Sequence, residues 1–212
     1  MPRRLRFSAA RAYRHLRDAD PVVGALIARH GPFQPRPSGD PYGSLLRTIL
    51  FQQLAGPAAR AIQRRWYAHY GDEQSPPQPP AILSTSDELF RGAGVSRQKA
   101  GYLRDLAAHI VDGRLDFDSL DALPDREVIT ALTVVHGIGE WSAHMFMISE
   151  LGRPDVLPVG DLGVRHGMRS AYGLEQTPTP AHALGIGEPW APYRSVGSWY
   201  MWRAADTVTP DG

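Results

Sequence analysis

The chain is predicted to be all-α. Apolar residues recur at helical spacing in one segment after another, Gly- and Pro-rich stretches separate those segments, and no run alternates apolar with polar as a half-buried strand would. At 212 residues, 42% of them hydrophobic, there is material for one large domain or two small lobes around a real core.

In chain order, residues 8–17 and 21–30 read as two short helices, the first rich in arginine, and residues 32–41 as a Pro/Gly linker. Residues 42–70 form the long central apolar stretch, interrupted near 53–57 where Gln, Gly and Pro cluster. Residues 71–80 are polar and Pro-rich, a loop; 81–83 open a helix, 85–92 carry the next, and 98–112 and 125–135 continue the series. Trp141 begins another apolar helical pattern that runs to Leu151. After a Pro-punctuated loop at 155–160, residues 162–168 and 170–172 are helical, a Pro-rich loop leads through 180, and helices at 181–184 and 193–205 close the chain. No internal repeat is evident.

Composition excludes several classes. No apolar run is long enough to span a bilayer, and the N-terminal Arg3, Arg4 and Arg6 lead into an Ala/Arg-rich helix rather than a signal-peptide core, so an intracellular protein without membrane partners is expected. With no cysteine, disulfides, thiolate zinc sites and iron–sulfur clusters are excluded. The histidines are scattered along the chain, so no side-chain metal site is expected. Net charge is only +1, but its distribution is uneven: Arg3, Arg4, Arg6, Arg11, Arg14 and Arg17 precede the first acid, Arg153, Arg165 and Arg169 cluster later, and Asp112, Asp116, Asp118, Asp121 and Asp125 gather between. A basic face for an anionic partner and ordinary solvated arginines are both consistent with that pattern.

Two features carry chemistry. His136-Gly137-Ile138-Gly139 interrupts the helical pattern between residues 125–135 and Trp141, giving helix, tight turn, helix. Glycines there permit positive φ and close approach of the backbone, and the free N–H groups opening the second helix suit a phosphate; they also serve simply to end one helix and start another. Shortly after, Asp161 stands at the N-cap position of the next helix. Capping and catalysis are compatible at one carboxylate, since one oxygen can cap while the other faces a substrate.

In order and spacing, the Gly-Ile-Gly turn, the Pro/Gly loop and the Asp that follows resemble the helix-hairpin-helix (HhH-GPD) DNA glycosylase superfamily. The resemblance extends over residues 42–203 and implies a two-lobed helical fold with the active site in the cleft between lobes, arranged as residues 1–41 packing with the C-terminal helices, 42–155 as the barrel lobe holding the hairpin, and 156–212 as the catalytic loop and closing helices. It implies that Asp161 is the catalytic carboxylate, that His136, Gly137, Ile138, Gly139 and Arg165 meet DNA, and that the turn at Gln52-Gln53-Leu54 faces the minor groove, with Gln53 first and Leu54 second as the residue filling the hole left by an extruded nucleotide. Amide bonding to nearby backbone is the alternative for both glutamines. Residues 94–103, which include Lys99, the only lysine in the chain, match the family's turn into the helix before the hairpin, where the role is architectural.

The branch is narrowed by Trp190-Ala191-Pro192-Tyr193-Arg194-Ser195 and the helix after it, similar to the 3-methyladenine DNA glycosylase II type, in which a Trp of that helix lines the base pocket. Register puts that Trp at Trp202, with Trp141 as its partner; a packed core helix is the other reading of Trp199 and Trp202. Where the family often has Tyr after the hairpin Trp, this chain has Met145, with Phe146 beside it. Superfamily members that also cut the backbone use a lysine at the position held here by Trp141, so the resemblance implies a monofunctional hydrolase. It further implies double-stranded DNA containing alkylated bases as partner and a monomeric state. No cofactor is implied beyond a Na, K or Mg ion at the hairpin, held by the carbonyls of Thr133, Val135 and Ile138 and bridging to a phosphate. The setting expected is the nucleoid of a bacterial cytoplasm or a eukaryotic nucleus. His136, His144 and His166 are expected to be structural or phosphate contacts rather than acids. A non-catalytic DNA-binding module needs the hairpin but not Asp161, the glutamine turn or the aromatic C-terminal helix; a glycosylase/lyase needs an amine near Trp141.

Overall fold

A computed structural model of the protein describes residues 7–33 and 39–206, so Arg3, Arg4 and Arg6 lie outside the described residues. Every regular element among them is helical. In order these are α1 (Ala9–Ala19), α2 (Pro21–His30), α3 (Pro41–Phe51), α4 (Gly56–Ala68), α5 (Pro79–Leu83), α6 (Asp87–Ala93), α7 (Arg97–Val111), α8 (Phe117–Leu120), α9 (Asp125–Thr133), α10 (Glu140–Ser149), α11 (Leu162–Tyr172), α12 (Pro180–Gly187), a 3₁₀ turn (Glu188–Trp190) and α13 (Arg194–Asp206). None is long and apolar enough to cross a membrane.

The chain forms two compact units, residues 1–37 with 147–212, and residues 38–146. The division runs through α10, so 147–155 group with the terminal segments rather than with the hairpin lobe expected to extend to 155.

In the first unit, Leu16, Val23, Ile27, Val164, Met168, Trp190, Tyr200 and Met201 form the core. Full burial of each such apolar side chain contributes ~1.5–3 kcal/mol. Small residues set the spacing of α11 and α13: a Cβ on Gly167 would overlap the Met201 carbonyl, so only glycine allows this approach. The expected break after Met168 is absent, because Gly163 and Gly167 are packing residues inside one continuous α11. The N-cap of α2, Asp20, is buried and ties distant elements together. It accepts from Val22 N (2.9 Å) and Val23 N (3.2 Å), from Trp190 Nε1 (2.8 Å) and from the Tyr172 hydroxyl.

The second unit is built around Leu46, Ile49, Trp66, Phe90, Leu103 and Leu106, all buried. Trp66 and Phe90 rings lie 5.7 Å apart. Arg104 donates from Nη2 to the Thr85 carbonyl at 2.7 Å and pairs with Asp87, fixing the α6 approach to α7. Within the acidic stretch, Asp116 caps α8 by accepting from Asp118 N and Ser119 N, and Asp112 pairs with Arg114.

Candidate active site

Asp161 is buried at the start of α11, where its Oδ1 accepts from Val164 N at 2.8 Å. The same oxygen accepts from Trp202 Nε1 at 2.9 Å. Asp161 is therefore a helix cap, and it is also joined to the aromatic residue that register assigns to the base pocket. Gly163 leaves the room for this: a Cβ there would stand 3.0 Å from both Asp161 Oδ1 and Trp202 Cδ1. The loop before Asp161 is braced from below by α13. Asp155 accepts two hydrogen bonds from the Arg194 side chain (both 2.7 Å), Val156 N donates to Ser195 Oγ (2.9 Å), and Asp161 N closes a turn onto Pro158 O (2.9 Å). Burial alone would raise the Asp155 carboxyl, but the hydrogen bonds and charge of Arg194 hold it below the usual carboxylate range. Arg165, expected at DNA, is half-buried and donates from Nη1 to the Pro178 carbonyl (3.2 Å), which braces the loop after α11.

In the second unit the hairpin joins α9 to α10. Gly137 has φ 86°, and a Cβ there would collide with the Tyr102 ring, so this glycine is required twice over. Gly139 is exposed, lacks positive φ and has nothing near its Cβ position. Ile138, expected at DNA, has its side chain buried as the hairpin's apolar anchor. The backbone N–H of His136 is not available to a phosphate: it donates to Asp105 Oδ2 at 2.8 Å, and Nδ1 of its exposed ring lies 3.0 Å from the same oxygen. Burial would raise the Asp105 carboxyl, yet these His136 contacts and the nearby His109 keep it lowered. α9 ends at Thr133, and the turn after it is closed by backbone bonds, Val135 N donating to Leu132 O (3.2 Å) and Ile138 N to Val135 O (3.0 Å).

The hairpin is joined to the glutamine turn. Gln52 Nε2 donates to Gly137 O at 2.6 Å, while Lys99 Nζ donates to Leu50 O (2.6 Å) and Gln52 O (2.7 Å). Gln53 sits in the left-handed region at φ 57°, and it and Leu54 are exposed. Trp141, at the start of α10, is 49% exposed, and Met145 is half-buried. Phe146 is buried against Phe117, with ring centroids 6.2 Å apart, so it serves the core rather than a pocket. Sequence reasoning did not anticipate Asp105 or Gly163; a polar residue at helical spacing and a glycine inside a helix were their only local signals. No cluster of His, Asp or Glu able to hold a metal occurs among the described residues.

The profile of the HhH-GPD superfamily base excision DNA repair proteins matches residues 46–192, from inside α3 to the segment before α13. The chain belongs to the HhH-GPD superfamily. Among its HhH-GPD relatives, the DNA-3-methyladenine glycosylase 1 of Schizosaccharomyces pombe is 32% identical over 93% of this chain and 88% of its own length. The alkylbase DNA glycosidase-like protein mag2 of the same organism is 26% identical over 91% and 92%. Two solved HhH-GPD structures share the fold closely. The S. pombe 3-methyladenine DNA glycosylase Mag1 in complex with abasic DNA has a TM-score of 0.81 at 32% identity, covering 91% of this chain and 95% of that one. A DNA-3-methyladenine glycosidase from Bacillus halodurans has 0.84 at 37% identity, covering 93% and 90%.

Proposed function

We propose that this HhH-GPD protein is a monomeric, monofunctional DNA glycosylase that excises alkylated bases, 3-methyladenine, 7-methylguanine and related lesions, from duplex DNA in base excision repair. The observation that carries the reading is the buried Asp161 carboxylate, oriented by Val164 N and Trp202 Nε1. Breaking the bond between C1′ and the base nitrogen sends the electron pair to the base and leaves positive charge on the deoxyribose, which a fixed carboxylate stabilises. Water then adds its oxygen to C1′, and its proton passes to Asp161 or to solvent. A base that is already cationic departs neutral and needs no general acid, which fits a site with a single acid.

The half-buried Trp202 offers an indole face to such a cationic purine, and Trp141, 49% exposed, presents an indole of its own on α10. Trp141 also occupies the position where a lyase would carry its amine, and the chain's only lysine is occupied with two carbonyls. The exposed Gln53 and Leu54 are the candidates for filling the vacated stack. A Na, K or Mg ion bound by the Thr133, Val135 and Ile138 carbonyls would link the hairpin to a phosphate; the partial negative charge at the C-terminal end of α9 favours such a cation.

The test is a base-release panel on duplexes each carrying one defined alkylated base, with Asp161→Asn as control. Release by the wild type and its loss in Asp161→Asn is the expected result. Binding to abasic DNA without release from any lesion would replace the enzyme with a DNA-binding module, and a borohydride-trapped adduct would replace the hydrolase with a lyase.

A further inference from the structure

Lys99 lies in the first turn of α7, where Ser96 Oγ accepts from its backbone N at 3.3 Å. Its side chain turns away from its own helix to the C-terminal end of α3. There Nζ donates to Leu50 O at 2.6 Å and Gln52 O at 2.7 Å, carbonyls that helical bonding leaves without partners. An ammonium is the charge favoured at that end of a helix. Burial lowers the Lys99 pKa, so these two acceptors offset a real desolvation cost.

The same turn is held from its other side by Gln52 Nε2 on Gly137 O. Between the two ties the backbone passes into Gln53 at φ 57°. A non-glycine residue keeps that conformation only where its surroundings over-determine it. Burial does not supply the constraint, because Gln53, Leu54 and Ala55 are all exposed. The polar ties from α7 and from the hairpin do. Three N–H donors arranged tetrahedrally on one nitrogen let a lysine reach two carbonyls from a single point, which the planar fork of arginine does not reproduce.

Resting on the glycosylase reading above, we propose that Lys99 is a positioning residue for base extrusion: by clamping the carbonyls of Leu50 and Gln52 it presets the turn that presents Gln53 and Leu54 to the duplex. Lys99 does not itself touch DNA in this scheme. A preset turn spends no binding energy on ordering itself when it enters the stack.

The experiment uses the full chain with Lys99→Met and Lys99→Arg, both checked for folding by thermal melts. In the first arm, 2-aminopurine is placed beside a tetrahydrofuran abasic analogue, and its fluorescence at saturating protein reads insertion without any catalysis. In the second, single-turnover release is compared for 7-methylguanine in a paired duplex and in a bulge that is already unstacked. Lys99→Met is expected to lose most of the 2-aminopurine signal and to slow release from the paired lesion roughly tenfold or more relative to the bulged one, with KM little changed, and Lys99→Arg to recover part of both. Wild-type fluorescence and an unchanged paired-to-bulged ratio in Lys99→Met would overturn the proposal. Equal loss on both substrates, with a lowered melting temperature, would also overturn it, as a purely structural role. Should Lys99→Met not fold, Lys99→Arg reads the same signal and ratio. A wild type that releases no base rejects the glycosylase reading alone, because the fluorescence arm still decides Lys99.

Discussion

Trp202 Nε1 lies 2.9 Å from Asp161 Oδ1, the oxygen that also caps α11 through Val164 N. The cap and the indole thus act on one atom, which fixes the plane of the carboxylate from two directions. Asp161→Asn keeps an acceptor for the cap, since Asn and Asp cap about equally well. The melting temperature is therefore expected to change little, while base release falls by about 10²-fold or more with the loss of the negative charge. Circular-dichroism melts and single-turnover release on one duplex measure both; a large loss of stability with release intact would remove Asp161 from the chemistry.

Trp202→Phe separates the two uses of the indole. Phenylalanine keeps an aromatic face but loses the N–H that reaches Asp161. A hydrogen bond to a charged group is worth about 1.5–3 kcal/mol, so kcat is expected to drop about tenfold or more with KM within a few-fold. Trp202→Ala removes the face as well and is expected to raise KM in addition. Equal kinetics for the Phe variant and the wild type would show that the Trp202 hydrogen bond plays no part in holding Asp161 for the reaction.

The Asp155–Arg194 pair gives a pH dependence. Burial works against the Asp155 charge, but Arg194 more than compensates and the folded pKa lies below the unfolded value of about 4. The pair's stability is therefore present above that value and is lost as pH falls through the folded pKa. Thermal melts between neutral pH and about 2.5 are expected to show Asp155→Asn less stable near neutrality and with a shallower acid decline than the wild type. Parallel curves would mean that Asp155 carries no linkage.

The helices were legible because their amphipathic period and their capping residues are local signals: Ser8, Asp20, Ser86, Ser96, Asp161 and Thr179 each cap the helix that follows. α8 was not, since four residues are too few for a period and its cap, Asp116, reads as part of an acidic run. The continuity of α11 was hidden for a different reason. Gly163 and Gly167 look like helix breakers, and only the approach of Trp202 and Met201 from α13 explains them. At the site, the order of turn, loop and Asp was readable, but Gln52 bonding to Gly137 and Lys99 reaching α3 span 85 and 49 residues of sequence and leave no local trace. The burial of the Phe146 and Ile138 side chains was unreadable for the complementary reason: an apolar residue beside a functional one has no mark that tells a pocket wall from a core.

The two hairpin glycines make a contrasting pair. Gly137 combines φ 86° with the Tyr102 ring where a Cβ would go, so Gly137→Ala is expected to strain the turn, disturb the Gln52 contact to its carbonyl and lower stability by about 1–3 kcal/mol, with DNA binding falling alongside it. Gly139 has neither constraint. It is the N-cap of α10, its carbonyl accepting from Ala143 N at 3.0 Å, a position glycine suits better than alanine, and no described atom lies within 4 Å of its Cβ position, so the backbone there is open to an approaching phosphate. Gly139→Ala is expected to lower the melting temperature less than Gly137→Ala does, because alanine is only a poorer N-cap for α10, and to bind abasic duplex more weakly, by roughly tenfold if a phosphate contact is displaced. Fluorescence-anisotropy titrations beside thermal melts distinguish the two variants. Unchanged binding by Gly139→Ala would mean that the backbone at 139 does not meet DNA, and the hairpin's phosphate contact would then have to come from the N–H groups that open α10.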